Sequence, residues 1–167
     1  GSQHFRSMVK TAGGAEMFPF LRDNNTGCEM YESADIVKYL YTTYGGGSAP
    51  PAYLLPSTLI TGWLPSLLRP GRGMSRFEGS APELPGELLV LYSYDGNQFA
   101  RLVREVLCEL ELPYTMKSAG KGSPMREQLK ELSGKTQVPY LVDPNTGKAI
   151  SDSADIIEYL YATYSKV

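Results

Sequence analysis

The sequence predicts an α/β protein built on a four-stranded mixed sheet, with part of that unit written twice along the chain. Three observations carry the prediction: a long internal repeat, an apolar run without alternation that leads into a helical stripe, and Pro-Asn-Gly turn chemistry between short apolar runs. A length of 167 residues suffices for one ordinary domain or two small ones.

The repeat appears when Gly14 is laid on Gly134. Pro19 then falls on Pro139, Leu21 on Leu141 and Asp23 on Asp143, without a gap. Asn25-Thr26-Gly27 recurs as Asn145-Thr146-Gly147, Ser33-Ala34-Asp35-Ile36 as Ser153-Ala154-Asp155-Ile156, and Tyr39-Leu40-Tyr41 as Tyr159-Leu160-Tyr161. About half the positions from Gly14 to Tyr44 are identical to their counterparts. Upstream, His4-Phe5-Arg6 lies opposite Pro124-Met125-Arg126.

The second copy is complete and sets the element order. Leu88 to Tyr92 is uniformly apolar, as in a strand covered on both faces. From Phe99, the residues Leu102, Val103, Val106, Leu107 and Leu110 recur at helical spacing, and Tyr114 to Lys117 reads as a second strand. Pro124 to Leu132 follows as a helix, with Ser123 at the cap, Pro124 in the first turn and Glu127 placed for a capping box. Tyr140-Leu141-Val142, the turn Asp143 to Gly147 and Ala149-Ile150 make a hairpin. Asp152 or Ser153 then caps a last helix with the stripe Ile156, Ile157, Leu160, Tyr161 and Tyr164. The order is a parallel crossover followed by a hairpin.

A net charge of −2 offers no basic field for nucleic acid. Nor does any apolar run approach the roughly 18–20 residues of a membrane-spanning helix, so neither nucleic acid nor membrane is an expected partner. Cys28 and Cys108 show neither Cys-x-x-Cys nor zinc-ligand spacing, and His4 has no visible partner cluster, so no metal is expected. Cys108 falls in the helical stripe region and reads as a small packing residue.

With Gln137-Val138-Pro139 opening the third strand and Asp152-Ser153 opening the last helix, this order resembles the thioredoxin-like N-terminal domain of glutathione transferases and glutaredoxins. Two such units in tandem resemble the tandem thioredoxin-like proteins of plants and algae. The resemblance implies a thioredoxin-like fold of the glutathione transferase N-terminal type, duplicated with the first copy truncated, and a chloroplast location, with the cytoplasm otherwise. It also implies a cis proline at Pro139 and Pro19, whose preceding residues, Val138 and Phe18, meet the cysteinyl part of glutathione. The pairs Asp152-Ser153 and Glu32-Ser33 would hold the γ-glutamyl end, where helix-start N–H groups and a hydroxyl suit a carboxylate.

Redox members carry Cys-Pro-x-Cys, or a serine variant, between the first strand and first helix. Here that slot reads Asn97-Gln98-Phe99-Ala100. Disulfide exchange requires a thiolate, so the complete copy is expected to be redox-silent. The Asn97 amide would donate to a glutathione thiolate, and Tyr94 is the alternative hydroxyl donor for a weak transferase activity.

The expected organisation is a partial repeat at 1–44, a linker at 45–86 and the complete repeat at 87–167. Within the linker, Leu59, Ile60, Trp63, Leu64, Leu67 and Leu68 form an amphipathic helical stripe, with Arg69, Arg72 and Arg76 beside it. A hairpin and helix without their parallel half expose an apolar face and a strand edge. The second copy, a second chain, another protein partner or upstream residues bearing the active cysteines is expected to cover them. Three functions follow: a redox-silent module for glutathione or another small thiol, a transferase or glutaredoxin-like oxidoreductase whose cysteines lie upstream, and a non-catalytic scaffold or assembly factor.

Overall fold

A computed structural model describes residues 2, 4–51 and 71–166. The chain divides into two compact units, Gly1–Pro70 and Gly71–Val167. The linker stripe Leu59 to Leu68 and Arg69 lie outside the described residues.

In the second unit, β3 (Leu89–Ser93), α3 (Gln98–Glu109), β4 (Tyr114–Ser118), α4 (Pro124–Ser133), β5 (Tyr140–Asp143), β6 (Lys148–Ser151) and α5 (Ser153–Tyr164) follow in order. The sheet order is β4-β3-β5-β6. β3 runs parallel to β4, with Leu89 opposite Tyr114, and antiparallel to β5, with Leu91 opposite Leu141. β5 and β6 close the hairpin through Asp143 and Lys148. One sheet face packs under α3 and α5, burying Leu89, Leu91, Val103, Val106, Leu107, Leu141, Ile156 and Leu160. The other face buries Tyr92, Val138 and Tyr140 with Leu129 of α4. This covering of both faces is why β3 reads as an unbroken apolar run.

Capping sets the helix starts. The Asn97 side chain accepts from the Ala100 N–H at 2.8 Å, and that of Asp152 from Ala154 at 3.0 Å. The Ser123 hydroxyl accepts from Met125 at 3.2 Å. The expected capping box does not form: Pro124 takes the first helical position, so the third is Arg126 and Glu127 stands one residue too far along. α4 ends at Gly134 with φ 72°, a left-handed cap that glycine adopts without penalty.

Residues 71–81 are bound to this unit. Phe77 N–H donates to the Glu109 carbonyl at 2.7 Å, and its ring meets Tyr161 edge-on at 5.4 Å. Arg72 pairs with Glu109 and Arg76 with Glu111, both at 3.0 Å. Of the three arginines assigned by sequence to the linker, the two among the described residues are thus ion-paired.

The first unit contains α1 (Phe5–Gly13), β1 (Leu21–Asp23), β2 (Cys28–Met30) and α2 (Ser33–Tyr44), with β1 and β2 forming a two-stranded antiparallel hairpin. Tyr39 and Tyr44 donate to the Asp23 carboxylate at 2.5 and 2.6 Å. Tyr159 and Tyr164 do the same to Asp143 in the second unit, at 2.5 and 2.6 Å. Burial differs sharply, for neither α1 nor α2 buries a residue. Leu40 is 40% exposed where its counterpart Leu160 is fully buried. The hydrogen-bonded turn survives here without the core around it. Among the described residues the first unit thus holds two helices and a two-stranded hairpin, and the second unit three helices and a mixed four-stranded sheet.

Candidate functional site

Three segments converge at one end of the second sheet because of register. Tyr140 lies between Tyr92 of β3 and Ser151 of β6. The residues just beyond those strands, Tyr94 to Asn97 on one side and Asp152-Ser153 on the other, therefore flank Val138-Pro139. The Val138-Pro139 bond is cis, as is Phe18-Pro19.

Beside Val138 is a cavity of about 480 Å³ lined by Tyr94, Asn97, Phe99, Lys121, Arg126 and Val138, with Gly120, Thr136 and Gln137. Asn97 is half-buried at the start of α3, and its Oδ1 is committed to the cap. Its Nδ2 donates to the Tyr94 hydroxyl at 3.4 Å, which leaves the phenolic proton free to point elsewhere. The two residues offered as alternative donors thus meet as a pair. Arg126 is held by the Ala119 carbonyl at 3.2 Å and the Thr136 hydroxyl at 3.3 Å, both neutral acceptors, so its charge remains available to a ligand.

The other slot residues separate. Phe99 lines the cavity, Gln98 is exposed and does not, and Ala100 is fully buried on the inner side of α3. Pro139, Asp152 and Ser153 are not in its wall. The Asp152 carboxylate is occupied in capping α5 at a backbone φ of 75°. Glu32 takes the same left-handed conformation with φ 66° but makes no side-chain cap. Phe18 is 57% exposed, and Phe18, Pro19, Glu32 and Ser33 have no helix-start slot facing them within the described first unit. A cavity of about 300 Å³ in that unit involves Asp35, Lys38 and Thr42 of α2 and none of those four residues.

Neither cysteine reaches the cavity. Cys28 lies in β2 of the first unit. Cys108 is exposed rather than packed, because the apolar stripe of α3 turns Val106 and Leu107 inward and leaves the next position outside. Desolvation of its sulfur, opposed by Arg104, pushes the Cys108 thiol above its ordinary value, which disfavours thiolate. Among the described residues no group of His, Cys, Asp and Glu is arranged to hold a metal ion, and no helix is long and apolar enough to cross a membrane.

Sequence reasoning missed Lys121 and Arg126. Lys121 had no signal beyond its Gly120-Lys121-Gly122 loop, whereas Arg126 recurs in the repeat as Arg6.

A mixed sheet with a cis-proline loop beside a helix start defines a thioredoxin-like protein of the glutathione transferase kind. Residues 1–51 and 91–167 match the model of the glutathione S-transferase N-terminal domain, and the chain belongs to that family. No curated protein matches the chain. Among solved structures it is similar to a Bombyx mori glutathione transferase in complex with GTT, at 20% identity and TM-score 0.43 over 50% of this chain and 39% of that one. It is also similar to a diazinon-metabolizing glutathione S-transferase of the same silkworm, at 26% identity and TM-score 0.41 over 47% and 39%. A Phanerochaete chrysosporium glutathione transferase matches at 21% identity and TM-score 0.37, over 46% and 38%. The chain therefore spans well under half the length of each.

Proposed function

We propose that the second unit binds glutathione or a related thiol in the cavity beside Val138 without exchanging electrons with it, and that the first unit is the back half of a second copy of the same domain. The observation that carries this reading is the Asn97–Tyr94 pair at the start of α3, at the position where redox relatives place a thiol. A bound thiolate there accepts from the Asn97 amide and the Tyr94 hydroxyl, and the positive end of α3 favours its charge. Arg126 and Lys121 suit the carboxylate at the glycyl end, and the start of α5 at Ser153 suits the γ-glutamyl end. Neither an amide nor a phenol forms a disulfide with the ligand, so the thiol is held and not oxidised. Tyr94 gives the same site a route to weak transferase activity, because a proton donor facing the sulfur stabilises the nucleophilic thiolate.

Calorimetry with glutathione tests the site. Binding is expected, and Ser153→Ala should weaken it by about 1–2 kcal/mol, the scale of a lost hydrogen bond to a charged group. Disulfide reduction that persists after Cys28 and Cys108 are replaced would refute redox silence. A second reading, a scaffold that recruits a protein partner, is favoured by the exposed Met8, Phe18, Leu40 and Tyr44 of the first unit.

A further inference from the structure

A second cavity adjoins the thiol cavity. It has a volume of about 600 Å³, shares Arg126, Thr136 and Gln137 with the first, and adds Lys130, Gly134 and Lys135. Four cations, Lys121, Arg126, Lys130 and Lys135, therefore border one trough, and no carboxylate lines either part of it. Among the described residues none of the four is in an ion pair. Four cations along a trough with no carboxylate in its wall repel one another, and an anion placed among them relieves that repulsion.

Direction along the trough follows from the strand register. Asp152 and Ser153 flank Val138-Pro139 on the β6 side, while Thr136 and Gln137 precede Val138 and border both cavities. A peptide whose γ-glutamyl end meets Ser153 runs its C-terminal end toward Thr136, Gln137 and the cations. Glutathione delivers one carboxylate there, which Arg126 and Lys121 answer. Lys130 and Lys135 remain without an anion.

We propose that the ligand is an acidic thiol peptide longer than glutathione, whose additional C-terminal carboxylates lie along Lys130 and Lys135. The proposal rests on the thiol-site reading above and extends it to the ligand class.

The test compares glutathione with γ-Glu-Cys-Gly-Glu-Glu by calorimetry on the full chain. The longer peptide should bind about five- to tenfold more tightly at low salt, as two exposed ion pairs allow. The advantage should shrink by about 0.5 M salt, where such pairs are screened. It should vanish in the K130Q/K135Q double variant, whose affinity for glutathione stays that of the wild type. Equal affinity for the two peptides overturns the proposal and leaves the thiol site standing, as does an advantage that survives the double substitution. If neither peptide binds, the thiol site itself is removed and the proposal falls with it.

Discussion

Asn97 combines two tasks that pull on one side chain. Its oxygen completes the first turn of α3 while its nitrogen reaches Tyr94 in the cavity. Asn97→Cys should therefore give a reactive thiol at a helix start, with a pKa below the roughly 8.5 of a free cysteine, readable as the pH dependence of its alkylation rate. The lost cap should cost about 1 kcal/mol in denaturant unfolding. Asp143 makes a second residue-scale case. Burial acts to raise its carboxyl, but hydrogen bonds from Tyr159, Tyr164 and Asn145 outweigh burial and hold it below the ordinary carboxylate range. A carboxylate depressed in the folded state stabilises the fold above its unfolded pKa of about 3.9, and that contribution is lost as pH falls toward the folded value. Asp143→Asn should lower stability at pH 7 by about 2 kcal/mol, the scale of hydrogen bonds to a charged group. It should also flatten the decline in stability below about pH 4, as thermal unfolding across an acid series would show.

At the scale of elements, α2 and α5 are a natural comparison, since Ser33-Ala34-Asp35-Ile36 and Tyr39-Leu40-Tyr41 recur in both. α5 rests on β5 and α3 and buries Ile156, Leu160 and Tyr164; α2 buries nothing. Leu160→Ala should destabilise the second unit by about 2–5 kcal/mol through the cavity it leaves. Leu40→Ala, in the same sequence setting, should stay within about 0.5 kcal/mol, as parallel denaturation curves would show. The apolar patterns revealed these elements readily: the stripe from Phe99 to Leu110, the unbroken run at Leu89 and the turn at Asp143 each state a local geometry. Caps were less legible. With Ser123 at the cap the third helical position is Arg126, so Glu127 lies one residue past the capping-box place, a difference that only the exact phase of the helix start decides. The exposure of Cys108 escaped for a related reason: one residue of helical phase separates it from buried Leu107.

At the scale of the whole molecule, the repeat made the fold legible while the site remained only partly so. Val138 and Asn97 could be placed because a turn and a strand start bracket them in sequence. Asn97 and Tyr94 meet within one local turn, closed by the Asn97 N–H on the Tyr94 carbonyl at 3.1 Å, whereas the gathering of Lys121 and Arg126 around them depends on which strand ends lie side by side. That is a property of sheet order and has no local signature. The repeat has a further consequence for assembly. β3 must choose its antiparallel neighbour on a chain that offers nearly the same hairpin twice. Beyond the shared Leu21 and Leu141, the choice rests on the residues that differ, such as Arg22 against Val142. Val142 packs beside Tyr92 and Tyr140. In its place the first hairpin would bring Arg22 and its ion-pair partner Glu29, 3.1 Å apart, and so set a charged pair against that apolar layer, which is costly to desolvate. A few side chains thus act as an address label, directing one strand to the later of two almost identical docking grooves.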